Sequence, residues 1–481
     1  MPSFSMENIV SILPEIIVLS LALAVLMFDL VLPKDEKRYL AYFSVAGLAI
    51  AGYQTMNLAG LQLDTFYGMF VLDGYAIFFK VLFYIAAAIA ILISIGYVKG
   101  QEMDKGEYYA LILFATLGMM VMASGADLIS IYLGLELMAL SVYILAGFMR
   151  GSLKSNEAAL KYFLLGAFSS GILLYGIAII YGVTGTTNLA GIAAFIQAGQ
   201  YSGSALTLAM ILLVAGFGFK VAAVPFHMWV PDVYEGAPTS VTAFMSVGPK
   251  AAGFAAFLRV FTTALPGIQP DWTVIIASLA IMSMLIGNVV AISQTNVKRM
   301  LAYSSIAHAG YAMVGFVSGG MQGVSSVMMY LFIYMFMNLG AFGMVVMLRK
   351  DGVAGEELKD FAGLAKKNKT AALLMMVFMF SLAGIPPTAG FMGKFYVFMA
   401  ALNAGFMWLA IIGVMMSAVS AYFYLRVIMY MYMKEPEGEF ELAAPLSLKL
   451  AMAVAVLGVL YIGMAPAGLI DFARISIAGM M

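Results

Sequence analysis

Apolar runs of bilayer length recur from one end of the chain to the other, and they restrict its fold more than any single motif does. Cutting at polar breaks leaves fourteen of them, near 9–32, 39–60, 71–98, 108–124, 126–148, 157–182, 205–226, 239–264, 272–294, 300–319, 323–348, 370–402, 405–433 and 446–468. A hydrocarbon core about 30 Å thick takes roughly 20 residues of α-helix, so most of these runs can span it. They are continuously apolar rather than alternating, which predicts helices and argues against a β-barrel. Of 481 residues, 63% are hydrophobic and 10% charged, where a soluble domain carries roughly 25% charged. The fold predicted is therefore all-α and polytopic, with about 14 transmembrane helices. The first run, Ile9 to Leu32, is expected to remain as a span, because no Lys or Arg precedes it and no small-residue cleavage site follows.

Loop cations orient the helices. With the loops numbered in order, the odd ones hold Lys34, Lys37, Arg38, Lys99, Lys105, Arg150, Lys154, Lys298, Arg299, Arg349, Lys350, Lys359, Lys366, Lys367, Lys369 and Lys434. The even loops and both tails hold only Arg474. By the positive-inside rule the odd loops are cytoplasmic, and both termini are expected on the outer, periplasmic face of a cell inner membrane. The one odd loop without a cation is 227–238. Its acids Asp232 and Glu235 are expected to cap and order the PDVYEGAP turn.

Other classes of chemistry drop out. Cysteine is absent, which excludes disulfides, thiolate iron–sulfur clusters and thiol catalysis in this chain. Net charge is zero, so nothing points to nucleic acid. The 40 methionines show no paired metal-binding pattern and read as soft filler between helices. GFGFK lacks the third glycine and the strand of a nucleotide fingerprint.

What stands out is charge inside the apolar spans. Lys80, Lys161, Lys220, Lys250, Arg259, Lys394, Arg426 and Lys449 all fall within or at the edge of a run. A lysine in mid-bilayer costs about 2.5–3.5 kcal/mol on insertion scales, so each needs a partner or a hydrated cavity. Glu136 lies nine residues beyond Asp127, roughly 13 Å down a helix. Lys220 and Lys250 sit deep in the seventh and eighth runs, and Lys161 less deep in the sixth. The seventh and twelfth runs are interrupted: Gly216 and Gly218 precede Lys220 with Pro225 after it, and Gly384, Pro386, Pro387, Gly390 and Gly393 crowd around Lys394. A proline kink alone explains such punctuation, but a lysine at each break points to discontinuous helices with free backbone groups at mid-membrane. Burial drives a lone ammonium to give up its proton, and a carboxylate within about 4–6 Å restores it. A row of such groups is a proton relay. Arg259, Arg426 and Lys449 read as structural or snorkelling. Asp73 and Lys80, seven residues apart, read as a packing pair on one helix face.

Four long segments carry a family resemblance: VAAVPFHMWVPDVYEGAPT at 221–239, FMSVGPKAA at 244–252, NVKRMLAYSSIAHAGY at 296–311 and GIPPTAGFMGKF at 384–395. They resemble the antiporter-like membrane subunits of respiratory complex I, which in turn are similar to the large subunits of multi-subunit cation/proton antiporters. The ILPEI stretch at 12–16, a lysine at 394 and the short C-terminus resemble the N type among them. The resemblance implies two inverted five-helix repeats, at 107–266 (helices 4–8) and 267–434 (helices 9–13). A three-helix segment at 1–106 precedes them and a final helix at 435–481 follows, with helices 7 and 12 broken. It also implies proton translocation, with Glu136 and Lys220 as a central ion pair, Lys161 as its neighbour and Lys250 as the connecting lysine. His308 would lie on the lateral path, His227 in the PFHMW motif and Lys394 at the outlet. His308, beside Ser304 and Ser305, also reads as a satisfied core histidine, and His227, between Pro225 and Pro231, as a turn residue. The second repeat offers no evident glutamate for Lys394. No cofactor is expected in this chain; quinone, FMN and iron–sulfur clusters would belong to partner subunits, with subunits M and K as neighbours in the bilayer. The alternatives are a Na⁺/H⁺ antiporter subunit or a membrane subunit of a related ferredoxin- or hydrogenase-linked complex.

Overall fold

In hydrocarbon a backbone must satisfy its own donors and acceptors, so each apolar run closes on itself as a helix. A computed structural model describes residues 6–33, 36–101, 103–199, 203–350, 353–436, 441–442 and 444–480. Lys34 lies outside the described residues, as do the side chains of Arg349 and Lys350. The main helices in chain order are α1 (Leu13–Val31), α2 (Arg38–Asn57), α3 (Gly74–Gly100), α4 (Gly106–Ser124), α5 (Leu128–Ala146), α6 (Leu153–Thr184), α7 (Gly203–Val221), α8 (Trp229–Gly236) and α9 (Thr239–Met245). They continue as α10 (Gly248–Thr263), α11 (Gln269–Ser293), α12 (Val297–Ser318), α13 (Gly320–Met347), α14 (Lys369–Ala383), α15 (Ala389–Asn403), α16 (Met407–Met433), α17 (Leu446–Met464) and α18 (Ala467–Ile477). Among the described residues, twelve helical segments are long and apolar enough to cross a membrane, the α9–α10 pair counting as one. The less apolar α2 and the α14–α15 pair bring the predicted runs to fourteen.

Two small sheets trim the ends of the bundle. Strands β1 (Leu63–Thr65) and β2 (Phe70–Leu72) form an antiparallel hairpin before α3. Strand β3 (Leu348–Lys350) pairs with β4 (Val353–Ala354) and β5 (Glu441–Leu442). The α9–α10 pair, α12 and α13 are buried along almost their whole length, whereas α1 and α16 keep most of their surface outward. The inner helices carry Lys250 and His308, so these side chains stay out of reach of lipid.

Both predicted breaks are present. Helix α7 stops at Val221, and the chain turns through Ala222 at φ 64° toward Pro225. The backbone freed there is capped from elsewhere: Trp229 donates its indole N–H to the Phe219 carbonyl at 3.2 Å, and the Val224 N–H donates to Ser283 at 2.9 Å. Helix α14 ends at Gly384, whose φ of 86° is a left-handed cap that glycine adopts without penalty. Pro386 and Pro387 then prevent continuation until α15 begins at Ala389.

Two expectations need correction. Residues 229–236, placed in a loop at 227–238, form helix α8. Trp229, Val230, Val233 and Tyr234 are buried in it, and it packs on α6 and α12. Pro231 sits in its first turn, where no intrahelical N–H bond is lost. Asp73 and Lys80 do not pair, because seven residues along a helix separate them by about 10 Å. Asp73 caps α3 and binds Arg259 through both oxygens at 2.8 and 2.9 Å. Lys80 instead meets Glu15 of α1 at 2.7 Å.

Candidate functional site

Three lysines and a histidine occupy the interior: Lys220 is 6% exposed, Lys250 3%, Lys394 4% and His308 2%. Lys220 ends the first half of the broken seventh span. Its ammonium lies 3.4 Å from the Tyr143 hydroxyl and 3.5 Å from that of Ser170, with the rings of Tyr143 and Phe219 within 6 Å. Tyr143 reaches this point because α6 carries glycine opposite it: a Cβ on Gly166 would overlap the tyrosine oxygen. Glu136, two turns before Tyr143 on α5, is within electrostatic reach of Lys220 but forms no salt bridge with it. One carboxylate oxygen of Glu136 is buried without a hydrogen-bond partner. The expected central ion pair is therefore not closed in this structure, and Tyr143 and Ser170 take the contact positions.

Lys250, in the first turn of α10, donates to the Ser305 carbonyl at 2.7 Å and faces the Tyr334 ring. His308 is three residues beyond Ser305 on α12. Its Nδ1 lies 2.6 Å from the Tyr330 hydroxyl and its Nε2 3.1 Å from that of Tyr424. It is within electrostatic reach of both Lys250 and Lys394. Lys394 meets the other break directly, donating to the Leu382 and Ala383 carbonyls at 3.0 and 2.9 Å and to Ser417 at 2.8 Å. Those carbonyls end α14, where the helix dipole is negative, so a cation is held there without a carboxylate. The partner that the sequence did not reveal is backbone.

The remaining expected residues fall elsewhere. Lys161 is not buried: its side chain is 41% exposed and pairs with Glu157 at 2.7 Å and Asp232 at 2.9 Å. It belongs to a polar cavity of about 150 Å³ with Lys154, Glu235 and Arg299, because snorkelling lets a long side chain near a helix end reach water. Asp232 and Glu235 are not turn caps but accept from Arg299 at 2.8 and 3.0 Å, clamping α8 to α12. His227 is buried in the turn between α7 and α8. Arg426 donates to the Ile292 and Gln294 carbonyls at the end of α11, a structural cap as expected.

Two kinds of contact recur among the described lysines and their neighbouring arginines. Lys80, Arg259, Lys298, Arg299 and Lys161 are each bound to a carboxylate. Among the described residues, Lys220, Lys250 and Lys394 touch neutral oxygens instead. An ammonium held by a carboxylate is fixed in its charged form, whereas one held by hydroxyls and carbonyls is free to lose and regain a proton.

Residues 125–420, more than half of the chain, match the family described as NADH:quinone oxidoreductase/Mrp antiporter, TM. NADH-quinone oxidoreductase subunit N of Trichlorobacter lovleyi is 54% identical over 89% of this chain and 88% of its own length. Subunit N 2 of Rhizobium meliloti is 50% identical over 97% of each. In solved structures, a chain of respiratory complex I from Thermus thermophilus superposes with a TM-score of 0.82 at 34% identity, covering 95% of this chain and 98% of that one. A chain of the Mrp complex from Dietzia sp. shares the fold, with a TM-score of 0.84 at 21% identity over 99% and 98% of the two chains. The chain thus belongs to the family of NADH-quinone oxidoreductase subunit N, the antiporter-like membrane subunits of complex I.

Proposed function

We propose that this chain carries protons across a bacterial inner membrane through Glu136, Lys220, Lys250, His308 and Lys394, driven by quinone reduction in other subunits of its complex. The observation that carries this reading is the chemistry of three lysine contacts: the buried ammonium groups of Lys220, Lys250 and Lys394 touch neutral oxygens, so their charge is not pinned by a carboxylate. Glu136 is the group that biases Lys220. It lies beside the outward-facing Leu133 and Leu140, and a carboxylate at that depth is too costly against lipid. Another membrane subunit therefore covers that face, and subunits M and K are the proposed neighbours. Lys161 and the charges around Asp232 form the cytoplasmic surface of the same route, and His227 sits at the turn between the two. The two broken spans belong to two inverted repeats, 107–266 and 267–434, between the segments 1–106 and 435–481. Both termini face the periplasm. FMN, iron–sulfur clusters and quinone belong to the partners.

The antiporter alternative is less well supported, since relatives at half identity or more carry the subunit N name and the Mrp likeness at 21% speaks for fold alone. The test is Lys220→Ala in the whole complex, reconstituted in proteoliposomes. The complex assembles, and quinone-coupled pumping falls roughly tenfold or more, as loss of a positioned proton-transfer group implies. Pumping at the parent rate overturns the assignment of Lys220.

A further inference from the structure

We infer that Tyr330 and Tyr424 pass protons to and from His308, so that the lateral path runs through phenol hydroxyls rather than carboxylates. This rests on the reading of His308 as a member of the path and extends it to two residues on α13 and α16.

The imidazole has a tyrosine oxygen on each nitrogen, Tyr330 at 2.6 Å and Tyr424 at 3.1 Å. Tyr424 continues to the hydroxyl of Ser304. Tyr330, Tyr424, Ser304 and His308 are all buried. Lys250 lies against the ring of Tyr334 and Lys394 against that of Tyr311, and both rings touch the imidazole, with centroids 5.0 and 5.6 Å away. The histidine is thus set between the two lysines with a hydroxyl at either nitrogen.

The type of partner matters. A carbonyl or carboxylate only accepts, and would fix which ring nitrogen holds the hydrogen. A hydroxyl both donates and accepts, so each bond reverses without breaking. In one transfer, one tyrosine gives its hydroxyl proton to the facing nitrogen and receives another on its oxygen. The imidazolium formed gives the proton on its other nitrogen to the second tyrosine, which passes its own hydrogen onward. One proton enters, one leaves, and no charge remains. The ring ends with its hydrogen on the opposite nitrogen, and a transfer in the opposite direction through the same two hydroxyls restores the start.

Tyr330→Phe and Tyr424→Phe keep the rings and remove the oxygens. Each is placed in the whole complex, and quinone-coupled proton pumping in proteoliposomes is measured across a pH series. Pumping is expected to fall roughly tenfold with an altered pH profile and intact assembly. Tyr109→Phe, which removes a buried hydroxyl without a hydrogen-bond partner, pumps as the parent does. If either variant fails to assemble, the other decides. Parent-rate pumping by both, or a loss with an unchanged pH profile, overturns the hydroxyl route. His308→Phe separates the two levels of inference: parent-rate pumping by it removes His308 from the path altogether.

Discussion

Tyr143 shows how a residue with no chemical signature in the sequence governs one that has. Lys220 stood out because a lysine in an apolar run is expensive. Tyr143 did not, since an aromatic in such a run reads as packing. Its hydroxyl is nonetheless one of the two oxygens nearest the ammonium, and Gly166 exists opposite it as a vacancy for that oxygen. Tyr143→Phe should leave the complex assembled and slow coupled pumping roughly tenfold, by analogy with loss of other proton-transfer partners. Gly166→Ala should act on the same contact from the opposite side, displacing the hydroxyl and costing about 1–3 kcal/mol through overpacking. Pumping rates and thermal stability of the two purified complexes check this; a normal rate in both would remove Tyr143 from the site. The same reasoning explains why Tyr330 and Tyr424 were invisible. Their partners lie 22 and 116 residues away along the chain, and neither spacing has a periodicity to read.

At the level of elements, the apolar runs were legible because hydrocarbon leaves the backbone no alternative to helix. The breaks were legible because glycine and proline are expensive inside one. Helix α8 was not, since eight residues with a proline and two acids look like a turn until their buried face finds α6 and α12. Once formed, α8 is what steadies the end of α7. Trp229 stacks on Tyr162 at 4.3 Å, and Tyr162 meets Tyr143 edge-on at 4.7 Å, while the indole N–H holds the carbonyl one residue before Lys220. Trp229→Phe keeps an aromatic ring in the stack and deletes the donor. The expected cost is about 1–3 kcal/mol for a buried carbonyl left without its partner, read as a lower denaturation midpoint. Pumping should fall several-fold through displacement of Lys220. A variant with a lowered midpoint and normal pumping would show that α8 stabilises the bundle without positioning the lysine.

Across the whole molecule, buried lysines make two kinds of contact, and the proposed relay assigns a different purpose to each. The N-terminal helices are joined to the centre by the bidentate Asp73–Arg259 pair, with Tyr75 donating to the Ala255 carbonyl at 2.8 Å beside it. Asp73 and Arg259 lie 186 residues apart, which is why sequence spacing paired Asp73 with Lys80 instead. A charge held in this way neither gains nor loses a proton in turnover, so its removal should damage assembly rather than transport. Asp73→Asn leaves a guanidinium buried without its counter-charge, at a cost of about 3–5 kcal/mol. Less complex should assemble, and that which does should pump at the parent rate per complex. Replacing both partners by apolar residues, Asp73→Leu with Arg259→Met, should recover most of the yield, because no uncompensated charge then remains. Yield and pumping per complex are measured separately for the single and double variants. If Asp73→Asn assembles fully but pumps slowly, the division between pinned and mobile charges fails, and the Asp73–Arg259 pair joins the conducting groups.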